Sequence, residues 1–388
     1  MQLDFHYYAT YCAACIAGYS PEESLQIAYS AQFVDCCSAT LLRKIGGPLS
    51  AATTQLQLEM MNEGSDIASI QNITRIWASF HFLPGDLTAK RQRCSKRYLH
   101  KYRLICNTNS SLLAETVELT RGRGLQAAGL AMHILADTWA HRYFAGTPSL
   151  AINNTNYYFY EIVPDGESFT ERRVHFNHNP STADVPETGN YTNSLYQGTE
   201  NSVMNLGHGR AGHLPDYSYA RYRYLPAWGD YEEIVKDNPS DYFHAFCQMV
   251  YALKCLREGH PFETDRYDAE AVWQYRKDIF NILTKRQTDA CADWKALAEK
   301  ISGFSVEEFD IEKYQREYMD ADKADKDETF LGKFFIAAMA QKSMVTNRIF
   351  TTGNLLAGFS VDFRKKGFAG IKDFRKLAES NIRSAIND

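Results

Sequence analysis

Two histidines and an aspartate stand four residues apart in His133-Ile-Leu-Ala-Asp137-Thr-Trp-Ala-His141. On a helix each step of four turns the side chain by only ~40°, so all three fan across one face. The residues before them, from Leu125 to Met132, are mostly small and apolar, which marks a core helix. Two imidazoles and a carboxylate are costly to bury there unless each is paired or bound. A divalent metal would satisfy all three. His133 and His141 lie about 12 Å apart along the helix axis, too far for one ion to hold both through an unbroken helix. Two ions sharing Asp137 as a bridge would reach. The local alternative is an Asp137–His141 pair with His133 bonded to a carbonyl; three such groups on one core face favour metal.

Other residues of the same kind are placed similarly. His6 sits in an apolar-aromatic segment, Asp35 on the stripe of Leu25, Ala28 and Ala31, and His81 at a helix end before Pro84-Gly85-Asp86. This set contains imidazole and carboxylate but no thiolate. Hydrolytic zinc sites with open positions use that mixture, whereas closed structural sites prefer cysteine. Further on, Gly207-His208-Gly209-Arg210-Ala211-Gly212-His213-Leu214-Pro215-Asp216 offers two imidazoles and a carboxylate on a glycine-rich stretch able to wrap an ion. A plain turn with exposed histidines is an equal reading. His244, one turn after Asp241, ranks lower, and Gln248 stands where an acid would be expected. The same glycines spell G-x-G-x-x-G, but Pro215 interrupts the helix that dinucleotide binding requires.

The order His6, Asp35, His81, His133-x-x-x-Asp137, His141 resembles the ligand order of the zinc-dependent phospholipase C and S1/P1 nuclease superfamily. That resemblance implies an all-helical fold with two to three zinc ions. Asp35, His81, His133 and Asp137 would hold one; His6, the bridging Asp137 and the chain's amino terminus another; His141 would begin the third. For that third ion the superfamily uses a further His-x-x-x-Glu/Asp pair, which does not follow here on a helix, and His208, His213 and Asp216 are the best substitute. Asp35 would be both ligand and catalytic general base. The chain differs from the superfamily pattern in having three residues, not five, between Asp137 and His141. It also carries Met1 where secreted members expose a tryptophan, and Asp4 is an alternative to the Met1 amine. The segments DFHYYATY and HxxxDTxxH also resemble an uncharacterised bacterial family.

The elements that must position these residues are mostly helices. Ser20-Pro21-Glu22-Glu23 is a capping box with proline at the first helical position. Helical periodicity spans roughly 65–80, then 112–144 as two helices parted by Gly122 and Gly124, and returns at 241–258, 268–285, 289–301 and 330–350. Seven of the eleven prolines fall between Pro148 and Pro239, which predicts long loops with a short hairpin near Tyr157–Val163. The Lys-rich C-terminal segment reads as a solvated helix. The expectation is therefore a mainly α chain with a phospholipase C/P1 nuclease-like multi-helix core. A metal-binding helical domain spans 1–260 with a loop-rich insertion at about 146–240, and a C-terminal helical region spans 261–388.

Composition narrows the function. With 388 residues, Lys+Arg 42 against Asp+Glu 47 and a formal charge of −5, there is no basic footprint over the whole chain, so long nucleic acid is the less favoured partner. No run of about 18 apolar residues predicts a transmembrane helix. The N-terminus lacks a basic signal-peptide region, and nine cysteines in apolar surroundings read as reduced thiols, which together predict a cytoplasmic protein. No H-E-x-x-H, P-loop, G-x-S-x-G or His-Asp dipeptide is present; Asp320–Asp325 lacks the EF-hand glycine, and Cys12-x-x-Cys15 reads as core. Tyr217–Tyr224, with Arg221 and Arg223, reads as a loop packed on the core, with a phosphate-binding cleft as the minority alternative. The expected function is zinc-dependent hydrolysis of a small phosphodiester or phospholipid. The alternatives are a non-catalytic metal-stabilised binding protein, and a partner-binding helical protein whose histidines are only structural.

Overall fold

At Ser20 the hydroxyl accepts from the Glu23 N–H (3.2 Å) while the Glu23 carboxylate accepts from the Ser20 N–H (2.8 Å), and the helix Pro21–Cys36 follows. The computed structural model describes residues 1–358 apart from 62, 64–66, 156–157, 167, 180–181 and 194–207. The Lys-rich C-terminal segment and Gly207 lie outside the described residues. Within them the chain is mainly α.

The central helix, Leu125–Ala140, is buried from Gln126 to Ala140 without a break. It follows Ser111–Thr120 across Gly122 and Gly124, both at positive φ, where a Cβ would be strained. Against it pack Pro21–Cys36, Ser111–Thr120, Ile67–Phe80, Asn238–Glu258 and the long helix Phe330–Thr351. The crossing with Pro21–Cys36 is very close: a Cβ on Gly129 would lie 2.2 Å from the Ile27 carbonyl oxygen. Gly129→Ala must push apart the two helices that carry Asp35, His133 and Asp137. We expect a loss of about 1–3 kcal/mol, read as a lower melting temperature, and an unchanged melting temperature would show that the helix pair yields freely.

The N-terminal segment enters the core as a π-helical turn, Asp4–Ala9, continuing as Thr10–Ile16. Phe5 meets the fully buried Trp294 edge-on at 5.8 Å, so the helix Cys291–Ser302 clamps the turn that carries His6. No helix among the described residues is long and apolar enough to cross a membrane. All nine cysteines are free thiols.

The proline-rich stretch holds more β-structure than its composition suggests. Strands β1 (Tyr160–Asp165), β2 (Ser168–Arg173), β5 (Arg221–Tyr224) and β6 (Ile234–Asp237) form an antiparallel sheet in the order β2-β1-β5-β6. β3 (His175–Asn177) pairs in parallel with β4 (Asn190–Thr192). The hairpin lies at β1–β2, C-terminal to its expected place. In Tyr217–Tyr224 the tyrosines are buried, against Phe159 and Phe144 among others. The arginines face outward onto carboxylates: Arg221 to Asp237 at 2.8 Å, Arg223 to Glu171 at 2.8 Å and to Glu233 at 2.6 Å. They are held by carboxylates of the sheet and its margin.

Candidate metal centre

Asp137 is the hub. Its side chain is 1% exposed, and both oxygens are in use. Oδ1 lies 3.0 Å from the Met1 nitrogen and 3.2 Å from His6 Nε2; Oδ2 lies 3.2 Å from both His81 Nδ1 and His133 Nε2, and 3.5 Å from His141 Nδ1. The i, i+4 spacing supplies His133 from the preceding turn. His141 sits just past the last helical residue, as the C-cap. His6 comes from the π-helical turn and stacks on His133 with ring centroids 3.8 Å apart. His81 follows directly on the helix Ile67–Phe80.

Three groups of convergent ligand atoms result: His6, His133 and Asp137; Asp35, His81 and His133; His141, His208 and Asp216. Within each, the atoms lie within 4.8 Å of one another. Asp35 Oδ1 faces His81 Nδ1 at 3.8 Å and His133 Nε2 at 3.9 Å. Asp216 lies 3.2 Å from His141 Nε2, 3.6 Å from His208 Nε2 and 3.2 Å from the Met1 nitrogen. His133 and His141, which one ion could not span, fall in different groups.

Hydrogen bonds to main-chain carbonyls fix one protonated nitrogen on each of four rings. A carbonyl only accepts, so the nitrogen facing it carries the proton. His133 Nδ1 donates to Ala31 (2.9 Å), His81 Nε2 to Thr53 (3.0 Å), His141 Nδ1 to His81 (2.8 Å) and His208 Nδ1 to Gly212 (3.0 Å). In the neutral rings the opposite nitrogens are lone pairs aimed inward. His133 Nε2 and His81 Nδ1 then face each other at 3.3 Å with the Asp137 carboxylate beside them. His6 is wholly buried, and neither ring nitrogen has a hydrogen bond of proper geometry. The Met1 ammonium already compensates Asp137 Oδ1 and Asp216 and faces His141 Nε2 at 3.4 Å. The facing lone pairs of His133 Nε2 and His81 Nδ1, beside Asp137 Oδ2 and Asp35, repel one another and would be relieved by a metal cation, and carbonyl-anchored imidazoles are the usual outer support of metal ligands. The residues present fit a metal.

The electrostatics agree. Burial, with the neighbouring His133, lowers His6 to about 4; burial also lowers His133 and His208 to about 4, against the pull of Asp137 and Asp216 respectively. These rings are neutral at pH 7, as metal ligands must be. Burial would raise Asp137 and Asp216, but the surrounding imidazoles and the Met1 ammonium outweigh it and hold both well below the usual carboxylate range. Asp35 is different. Burial raises its carboxyl, and with its side chain 32% exposed it is the most open member of the three groups.

His213 is not brought in. It is half exposed and hydrogen-bonds Asp184 at 2.9 Å, a carboxylate that also accepts from Tyr217 at 2.6 Å. His244 stacks on Trp139 and bonds the Ser240 carbonyl, outside all three groups. Asp4 accepts from the Phe5 N–H and joins none of them; burial raises it to about 6. The carbonyls of Ala31, Thr53, His81 and Gly212 carry no sequence signal, because any residue type supplies one.

Fold and site together define a mainly helical protein with a buried His/Asp centre able to hold metal. Residues 1–349 match a family of unknown function, DUF6765, and the chain belongs to that family. No curated protein and no solved structure matches it.

Proposed function

We propose that this protein is a zinc-dependent phosphoric-ester hydrolase acting on a small phosphodiester or a phospholipid headgroup. The observation that carries the reading is the set of bare imidazole nitrogens converging on Asp137, with a partly exposed carboxylate, Asp35, at the margin. Imidazole and carboxylate ligands without thiolate suit zinc. The resemblance in ligand order to the phospholipase C and P1 nuclease superfamily supports the same choice.

Asp35, His81, His133 and Asp137 would hold one ion, His6 with Asp137 a second, and His141, His208 and Asp216 a third; His133 serves only one of them, because its Nδ1 donates to the Ala31 carbonyl and leaves Nε2 alone as a ligand atom. When bound, zinc polarises a phosphoryl oxygen and lowers the pKa of water. The chain's own part is positional. The carbonyls of Ala31, Thr53, His81 and Gly212 fix the rings of His133, His81, His141 and His208 so that none of these four must reorient, while His6 is held by stacking on His133. Asp35 turns Oδ1 toward His81 and His133, while Oδ2 accepts from Gln32 Nε2 at 3.5 Å and is the atom placed to take a proton from an attacking water.

The test is turnover of a nitrophenyl phosphodiester and of a phosphocholine-headed lipid by zinc-loaded protein, with and without chelator. Asp35→Ala should lower kcat by at least about 100-fold, the scale of a lost general base, while the fold is retained. The competing reading is a metal-stabilised binding protein, favoured by the complete burial of His6 and His133. Stoichiometric zinc with no cleavage of diesters, monoesters or lipids between pH 6 and 9 would establish that reading instead.

A further inference from the structure

The net charge of −5 conceals a strong local asymmetry. Between residues 87 and 114 there is no Asp or Glu, while Lys90, Arg91, Arg93, Lys96, Arg97, Lys101 and Arg103 fall within fourteen positions. These residues form one excursion of the chain, closed at its neck by antiparallel bridges Pro84↔Cys106 and Ile105↔Ala145 and by the bond from the Gly85 N–H to the Ile105 carbonyl (2.9 Å). The excursion includes the helix Lys96–Tyr102, whose N-cap Ser95 accepts from the Tyr98 N–H at 3.2 Å.

Lys90, Arg93, Lys96 and Arg97 are exposed and have no ion-pair partner among the described residues; Arg91 alone is neutralised, by Asp230. The remaining cations crowd one another. Burial together with Lys96 and Arg103 lowers His100, and burial together with Arg97 lowers Lys101. Self-repulsion of this kind costs stability in the isolated chain and is relieved by an external polyanion. The neck adjoins the metal centre: Cys106 donates to the Phe144 carbonyl at 2.6 Å, three residues after His141, and His81 lies three residues before Pro84.

We propose that the exposed basic face of residues 86–105 is a docking surface for an anionic lipid membrane. Clusters of four to eight Lys or Arg bind anionic headgroups electrostatically, each cation contributing to the affinity. A single-stranded nucleic acid is disfavoured because it needs open aromatic faces for base stacking, and the guanidinium of Arg91 already covers the rings of Tyr98 (5.6 Å) and Tyr102 (4.9 Å). The rest of the chain carries a net negative charge, so a long polyanion would be repelled beyond the excursion, whereas a membrane needs contact with the excursion alone. The docking surface involves none of the candidate metal ligands, and its test needs no turnover.

Co-sedimentation of the full chain with vesicles checks it. Binding is expected to phosphatidylserine-containing vesicles at low ionic strength, to be released by high salt, and to be absent with pure phosphatidylcholine. The variant Lys96→Glu/Arg97→Glu should lower partitioning about tenfold or more, since both are exposed and reversing their charge changes the local balance by four. Circular dichroism and metal content should remain those of the parent. Equal binding to neutral vesicles, no binding to anionic ones, or equal binding by the variant would each overturn the proposal. So would retention of a single-stranded oligonucleotide that is lost in the Lys96→Glu/Arg97→Glu variant, without vesicle binding, which would assign the surface to nucleic acid.

Discussion

Asp137→Asn is expected to release at least one metal ion per chain and to lower the melting temperature by several degrees. Asparagine keeps the shape of the side chain but removes the charge that both oxygens present to His6, His81, His133, His141 and the Met1 nitrogen. Those partners are 0–6% exposed, so water cannot take the carboxylate's place. Removing one member of a buried charged network typically costs about 3–5 kcal/mol, because the others are left uncompensated. A bridging ligand lost from such a centre also lowers metal affinity, and metal affinity is folding free energy. Elemental analysis and calorimetry on protein purified without chelator would decide the matter. Unchanged metal content together with an unchanged melting temperature would remove Asp137 from the centre.

Acid is the second strong lever, and its sign follows from the imidazoles. His6, His133 and His208 are lowered from 6.5 to about 4 in the fold. Below pH 6.5 the unfolded chain therefore binds protons that the folded chain refuses, and stability falls with pH from about 6.5 to about 4. Each such histidine contributes at most about 1.4 kcal/mol per pH unit in that window, and three together set a ceiling near 4 kcal/mol per unit. Asp137 and Asp216, held low, act in the same direction: their contribution is present above the ordinary carboxylate range and is lost as pH falls further. A metal held at this centre would sharpen the loss, because protons would compete for the same nitrogens. The measurement is the melting temperature of chelated and zinc-loaded protein from pH 7.5 down to pH 4.5. A flat profile in both forms would mean that the rings are charged and satisfied in the fold, contrary to the assignment of bare nitrogens.

Much of this protein was legible where the determining interaction is local. The Ser20–Glu23 box, the break at Gly122 and Gly124, and the helices ending at Glu258 and near Phe350 rest on residues within four positions of one another, and the backbone follows them. The sharing of one helix by His133 and Asp137 is local in the same sense, fixed by 3.6 residues per turn. The β-sheet was less legible because β1 pairs with β5 some sixty residues away, and strands of four to six residues in a proline-rich stretch carry little periodicity of their own.

Only tertiary structure decided which ligands meet. His6 reaches Asp137 because the π-helical turn is clamped by Trp294, and Asp35 reaches His133 because Gly129 lets two helix backbones come close. His208 and His213 are indistinguishable by type and setting in the sequence. The turn at 208–216 directs one toward Asp216 and leaves the other to Asp184, a partner 29 residues away. The protonation pattern was equally beyond the sequence, since it is written by the main-chain carbonyls of Ala31, Thr53, His81 and Gly212, and a carbonyl has no residue identity to read. Spacing along the chain determined which residues share a helix face; long-range packing, which brings backbone and side chains together in space, decided which of them form groups able to hold a metal.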